Sequence, residues 1–376
     1  VLDFKSLYPS IIRTFSVDPL SANMVLHDLQ NSSKSSEQGQ IVKGPAGLSF
    51  DTGWAILPGI IEHLWHERDK AKKVNDATLS QAVKIIMNSF YGVLGSQGCR
   101  FYDPRIAGSI TRMGHWLLNF SREFIEEKGF RVIYGDTDSL FVCLGEGDPM
   151  AVHKTGNELA DSLNEFLRKE LRNRFQVDSF LDIEFEKSFL RFFMPTIRGQ
   201  DAGSKKRYAG LIRGKEGNPE LYFAGLESSR RDWTALAKDF QADLFSLIFA
   251  KYDDQDLKEI LAEVVKNRHD QLYAGELDHK LIYRKGISKR LKDYTKTAPP
   301  HVRAARMLDE FEGRVIRYVM TVAGPEPIQK RSGTPFDYDH YSEKQLAPVA
   351  DMVLRFFDMD FHSIASNQNQ LNLFES

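Results

Sequence analysis

Arg131-Val132-Ile133-Tyr134-Gly135-Asp136-Thr137-Asp138-Ser139-Leu140-Phe141-Val142-Cys143-Leu144 is the stretch that decides the fold. Its apolar and β-branched residues run to Tyr134 and resume at Ser139, with a tight acidic turn between them. That pattern predicts a hairpin of two strands, Arg131–Tyr134 and Ser139–Leu144. Asp136 and Asp138 alternate with Thr137, so both carboxylates can share one side of the hairpin tip. Alone, such a triplet also reads as a surface turn, where aspartate is common. Upstream, Asp103 caps a helix with Pro104 at its first position, running to Lys128 before Gly129. Further upstream, Val1–Phe4 reads as a strand. Downstream, Leu159, Leu163, Phe166, Leu167 and Leu171 give Val152–Phe175 helical periodicity, and Phe180–Phe193 returns to strand. Strand, helix, strand, strand, helix, strand is the order of a ferredoxin-like antiparallel sheet with helices on one face. The fold class is α+β.

An insertion between Leu57 and Ser96 interrupts this order and reads as a helical hairpin. Pro58 can open its first helix, and Thr78 with Gln81 forms a capping-box start for the second. The turn around Val74–Ala77 is short enough to make the helices antiparallel neighbours. Arg68 and Lys72 are one helical turn apart. Lys84, Asn88 and Tyr91 fall at i, i+4 and i+7 on one face, leaving Ile85, Ile86 and Phe90 to pack in other directions. An exposed basic helix is the plain alternative. If the polar faces converge, Arg68 can grip phosphate oxygens as a fork, with Lys72 and Lys84 acting as point charges. The polar stretch Asn31–Lys43 is expected to be a flexible surface loop, and the chain beyond Arg230 to be mostly helical.

The chain has 376 residues, enough for two or three domains, with the 42% hydrophobic and 27% charged content of an ordinary soluble protein. No apolar run is long enough to span a bilayer. Cys99 and Cys143, the two cysteines, lack metal-ligand spacing, which favours a reduced cytoplasmic setting over a disulfide framework. A net charge of −2 conceals segregation. From Lys280 to Arg306 many lysines and arginines face the single acid Asp293, whereas Asp337–Asp360 leans acidic. Such a run can be merely a solvated face. Tyr283 and Tyr294 among the cations shift the reading towards a nucleic-acid backbone.

Three motifs stand in fixed order: Asp3-Phe4-Lys5-Ser6-Leu7-Tyr8-Pro9-Ser10, then Lys84-Ile85-Ile86-Met87-Asn88-Ser89-Phe90-Tyr91-Gly92, then Tyr134-Gly135-Asp136-Thr137-Asp138-Ser139. They combine carboxylates that gather divalent metal with cations that grip phosphate, as phosphoryl transfer from a nucleoside triphosphate requires. They resemble motifs A, B and C of the family B DNA polymerases. The likeness covers essentially the whole chain and is strongest to the bacterial polymerase II branch, through Ile-Ile-Met-Asn-Ser-Phe-Tyr-Gly-Val-Leu-Gly, Phe-Met-Pro-Thr-Ile-Arg-Gly and the tail Gln-Leu-Asn-Leu-Phe. The run between Asp309 and Val315 is shorter than in those relatives. Val1 is not an initiator methionine and the family's exonuclease region is missing, so the chain is expected to be the polymerase portion of a longer protein.

The resemblance implies a right-hand architecture. Residues 1–56 and 97–230 would form the ferredoxin-like palm, 57–96 the helical-hairpin fingers, and 231–376 a mostly helical thumb with a partner-binding tail. It implies two Mg²⁺ ions held by Asp3 and Asp138, with the Phe4 carbonyl completing one sphere and Asp136 as a third catalytic carboxylate. Ser6, Leu7, Tyr8, Arg68, Lys72, Lys84 and Asn88 would bind the incoming deoxynucleotide, Tyr8 as the floor that excludes a 2′-hydroxyl. Primer-template DNA would meet Tyr91, Gly92 and Thr137, and further on Lys205, Lys206, Arg207, Tyr208, Lys289, Tyr294 and Arg303. These contacts go chiefly to phosphates. Gln370, Leu371, Leu373 and Phe374 would bind a bacterial sliding clamp. The expected protein is a monomeric, nucleoid-associated bacterial polymerase of repair or damage bypass, without membrane association. The competing expectation is a DNA- and clamp-binding module with little activity of its own. Asp182-Ile183-Glu184 resembles an exonuclease metal motif, but it follows the third motif on a strand and is read as structural.

Overall fold

Alternation of apolar and polar residues builds the sheet that organises the amino-terminal half. The computed structural model describes residues 1–31, 39–145, 149–195, 205–214, 217–295, 298–311 and 313–366, in two compact units, Val1–Ser188 and Phe189–Ser376. In the first unit β1 (Leu2–Phe4) leads through a sharp turn into α1 (Leu7–Thr14) and then α2 (Pro19–Asn31). A two-stranded ribbon follows, β2 (Ile41–Lys43) against β3 (Ser49–Asp51), so the expected loop is in part a strand; residues 32–38 lie outside those described. Next come the helices α3 (Leu57–Lys73) and α4 (Ala77–Leu94), the long α5 (Pro104–Glu127), the hairpin β4 (Arg131–Asp136) and β5 (Ser139–Cys143), then α6 (Pro149–Phe175) and β6 (Ile183–Phe185).

The four strands lie in the order β4-β5-β1-β6, every neighbouring pair antiparallel. With helices between the first and second strands and between the third and fourth, this is the ferredoxin-like arrangement. Leu2, Phe4 and Ile183 are at most 2% exposed and turn one face of the sheet into the core with Leu140, Ile110, Leu117, Leu163 and Leu167. Burying each of these large side chains contributes about 1.5–3 kcal/mol. Asn164 of α6 ties β6 down, its amide donating to the Ile183 carbonyl at 2.8 Å and its oxygen accepting from the Ile183 amide at 3.0 Å.

Local signals hold closely at α5. The Asp103 carboxylate accepts from the Arg105 amide at 2.9 Å, Pro104 is the first residue, and Gly129 takes φ 87° just past the end. The start of α4 differs from the expected capping box. Asp76 is the N-cap, accepting from the Leu79 amide at 2.9 Å, because Asn75 at φ 56° closes the turn earlier than Thr78. Asp18, 4% exposed, fixes the base of the helical hairpin. One carboxylate oxygen accepts from the amides of Leu20 and Ser21, the other from those of Ile56 and Leu57, so a single side chain holds the starts of α2 and α3.

The second unit opens with an antiparallel sheet of β7 (Arg191–Phe193), β8 (Tyr208–Arg213) and β9 (Pro219–Ala224). The expected strand Phe180–Phe193 is thus two strands, β6 and β7, in separate sheets, and the compact division falls between them. Helices α7 (Ala235–Ala250) and α8 (Leu257–Tyr273) follow. Then β10 (Tyr283–Gly286), α9 (Pro300–Arg306), β11 (Val315–Thr321) and β12 (Gly324–Pro327) add a second three-stranded sheet to a stretch read as mostly helical. The charges of Tyr-Arg-Lys-Gly had obscured β10. The unit closes with α10 (Tyr338–Tyr341), α11 (Ala347–Leu354) and α12 (Phe361–Ser366) around a core that includes Phe240, Phe245, Tyr341 and Phe361.

Candidate active site

The polar face of β1 carries Asp3, with Lys5 one residue beyond the strand. Asp3 lies opposite Ser139 on one side and Glu184 on the other, and the Phe4 amide donates to the Asp138 carbonyl at 2.8 Å. The β4–β5 turn is thereby stitched to β1 at Asp138. Thr137 makes the turn at φ 51°, and its hydroxyl donates to Asp136 Oδ1 at 3.1 Å. Asp3, Thr137 and Asp138 line a cleft of about 660 Å³. Asp136 is half-buried beside Thr137 on the same turn.

Crowded negative charge dominates this floor. Asp3 is pushed up to about 7, first by burial, then by the nearby carboxylates of Asp138, Glu186 and Glu184, with Lys84 pulling the other way. A carboxylate in that setting gains much from a cation. Mg²⁺ takes few protein carboxylates and fills its sphere with water and phosphate oxygens, so Asp3 and Asp138 are a sufficient donor set.

The helical hairpin supplies the opposite charge. Arg68 and Lys72 of α3, and Lys84, Asn88 and Tyr91 of α4, all line the same cleft. The Arg68 Nε and the Ser6 hydroxyl are buried without a hydrogen-bond partner. Ser6 sits at φ 52°, ψ 57° in the turn between β1 and α1, a left-handed conformation that leads into Leu7 and Tyr8, which line the cleft. Two orphaned donors on the wall of a cationic cleft suit a ligand rich in acceptor oxygens, such as a polyphosphate.

Tyr8 and Tyr91 meet with ring centroids 4.6 Å apart and planes tilted by 42°. The Tyr91 hydroxyl lies 3.1 Å from Thr111 Oγ1, which itself donates to the Ala107 carbonyl at 3.0 Å. That donation leaves Thr111 accepting from Tyr91, so α5 fixes the second tyrosine and, through it, the first. Burial raises the Tyr8 hydroxyl above its ordinary range, helped by Tyr91 and Asp138, and keeps it neutral.

Several cleft residues escaped the sequence reading. Trp65 and Asp69 line it from α3. Asp182 and Glu184, read as structural, also line it, and Lys5 bridges them at 2.8 and 2.9 Å. The signal was available in the two-residue spacing of Asp3 with Lys5 and of Asp182 with Glu184, which puts all four on one face of paired strands.

Of the residues expected to meet DNA, Tyr91 and Thr137 line the cleft, and exposed Gly92 follows Tyr91 on α4. The others belong to the second unit. Lys205 and Lys206 are exposed before β8, while Arg207 is drawn to the buried Glu227 at 2.5 Å. Tyr208 stacks with Tyr222, planes 18° apart. Lys289 and Arg303 are exposed, and the Tyr294 hydroxyl lies 3.2 Å from Ser288 Oγ. Gln370, Leu371, Leu373 and Phe374 lie outside the described residues. Cys99 and Cys143 are both free thiols, and no helix among the described residues is long and apolar enough to cross a membrane.

The family model described as DNA polymerase family B matches residues 1–349. DNA polymerase II of Escherichia coli K12 is 44% identical over 98% of this chain and 46% of its own length. A DNA polymerase of Thermococcus gorgonarius is 32% identical over 95% of the chain and 45% of its own. Among solved structures, the family B DNA polymerase of Pyrobaculum calidifontis matches with a TM-score of 0.59 and 26% identity, over 94% of this chain and 44% of that one. The chain thus spans about half the length of the relatives it matches.

Proposed function

The chain belongs to DNA polymerase family B, and from that footing we propose that it catalyses template-directed DNA synthesis, the attack of a primer 3′-hydroxyl on the α-phosphate of a deoxynucleoside triphosphate. The observation that carries this reading is a single cleft with Asp3 and Asp138 on its floor and Arg68, Lys72 and Lys84 on its wall. Asp3 and Asp138 would hold two Mg²⁺ ions, the Phe4 carbonyl completing one sphere; bound there, the ions supply Lewis acidity at the 3′-hydroxyl and the leaving pyrophosphate. Asp136, bonded to Thr137 on the same turn, would be a third catalytic carboxylate. Arg68 would hold the triphosphate as a fork, with Lys72 and Lys84 as point charges and Asn88 as a neutral donor. Ser6 and Leu7 shape the turn under the nucleotide. Tyr8, braced by Tyr91 and Thr111, would bar a 2′-hydroxyl.

In this reading residues 1–56 and 97–230 act as palm, 57–96 as fingers and 231–376 as thumb. Tyr91, Gly92, Thr137, Lys205, Lys206, Arg207, Tyr208, Lys289, Tyr294 and Arg303 serve primer-template DNA. Gln370, Leu371, Leu373 and Phe374 would dock a bacterial sliding clamp and confer processivity by tethering. Deleting residues 370–376 should leave single-nucleotide insertion unchanged and abolish stimulation by the clamp on long templates. Similarity to polymerase II supports a bacterial repair or bypass role, in the cytoplasm with the nucleoid.

Extension of a primed template by the purified chain, with Mg²⁺ and with chelator, tests the proposal. Mg²⁺-dependent extension is expected. Tight primer-template binding without extension would favour a DNA-binding module instead.

A further inference from the structure

We infer that Lys5 is a positioning residue: a tethered cation that occupies Asp182 and Glu184, so that these two do not compete with Asp3 for divalent metal. The inference rests on the metal-dependent reading above. Its ground is a conflict in the sheet. β6 carries two carboxylates on the polar face, and Glu184 lies directly opposite Asp3 in the strand register. With Asp182 and Glu184 free beside Asp3, a divalent ion would have competing donor sets. Such an ion could settle between β1 and β6, away from the β4–β5 turn.

Lys5 resolves that conflict by geometry. Its amide donates to the Asp182 carbonyl at 2.8 Å, which places its side chain beside β6. The ammonium then lies 2.8 Å from Asp182 Oδ2 and 2.9 Å from Glu184 Oε2, bridging the two as a metal ion would. The next carboxylate along, Glu186, likewise has a lysine, Lys187, at 3.0 Å. Asp3 has no ion pair among the described residues. Lysines thus hold the carboxylates on β6 and its extension.

The test counts Mn²⁺ bound to the free chain, from the electron paramagnetic resonance of unbound ion across a titration. Lys5→Met should bind about one more ion than the parent, since Asp182 and Glu184 then form a new oxygen donor set. Lys5→Met/Glu184→Gln should return to the parent stoichiometry, and Lys5→Arg should match it throughout. A correctly folded Lys5→Met with unchanged stoichiometry overturns the inference. Should Lys5→Met not fold, Asp182→Asn/Glu184→Gln decides between the outcomes. Parent stoichiometry is expected there, and loss of an ion would show that β6 ligates metal despite Lys5. Asp3→Asn and Asp138→Asn, run in parallel, separate the two readings. If neither reduces Mn²⁺ binding, the metal site itself is misassigned, whatever Lys5 does.

Discussion

Asp3 carries a testable consequence of its crowded setting. Its folded value of about 7 lies above the 3.8 of an unperturbed aspartate, so between those values the folded chain holds more protons than the unfolded one. Stability contributed by this group therefore falls as pH rises through that window and stays low above it. Asparagine cannot ionise and removes the slope. In metal-free buffer, Asp3→Asn should be more stable than the parent at about pH 8, and the difference should shrink as pH falls through the window. Unfolding by urea across this range checks it, and a difference independent of pH would contradict the electrostatic account. Lys84 is the cation that offsets Asp3 in the cleft. Lys84→Ala should weaken use of the incoming nucleotide by ~1.5–3 kcal/mol, as for a lost charge-assisted bond, and leave primer-template affinity unchanged. Pre-steady-state insertion at varied nucleotide concentration measures the first and fluorescence anisotropy the second.

At the scale of elements, the helical hairpin works because its base is fixed. Asp18 accepts four backbone amides at the starts of α2 and α3, so Asp18→Ala would orphan all four. The expected cost is about 2–4 kcal/mol in the urea transition of the first unit, with nucleotide use impaired because Arg68 and Lys72 ride on α3. Unchanged stability would show that other contacts hold the hairpin. This clip was not legible in the sequence, since Asp18 and Ile56 are far apart and nothing local announces their meeting. What local chemistry dictates was legible: the capped and proline-opened α5, the β4–β5 hairpin, and the single face shared by Lys84, Asn88 and Tyr91. The misses have physical causes. Asp76 displaced Thr78 as cap because a left-handed Asn75 shortened the turn. Phe180–Phe193 split because its two ends pair with different sheets. Lys5 went unread, and Asp182 and Glu184 were read only as structural, because the pairing that sets β6 against β1 is a tertiary fact.

Across the whole molecule, charge is segregated along the chain rather than balanced locally. The net charge of −2 combines a carboxylate floor, a cationic hairpin and the basic stretch Lys280–Arg306, with most of the expected phosphate contacts carried by the second unit. In the proposed reading chemistry and duplex affinity draw on different residues, and one substitution should separate them. Asp138→Asn, placed at the β4–β5 turn and stitched to β1 through Phe4, removes a carboxylate from the floor and leaves every cation in place. Single-turnover insertion of one nucleotide, measured beside primer-template affinity, is the most direct test. The account predicts that insertion falls by at least about a thousandfold, some 4 kcal/mol, while DNA binding stays within about threefold of the parent. Insertion within a few-fold of the parent would contradict it.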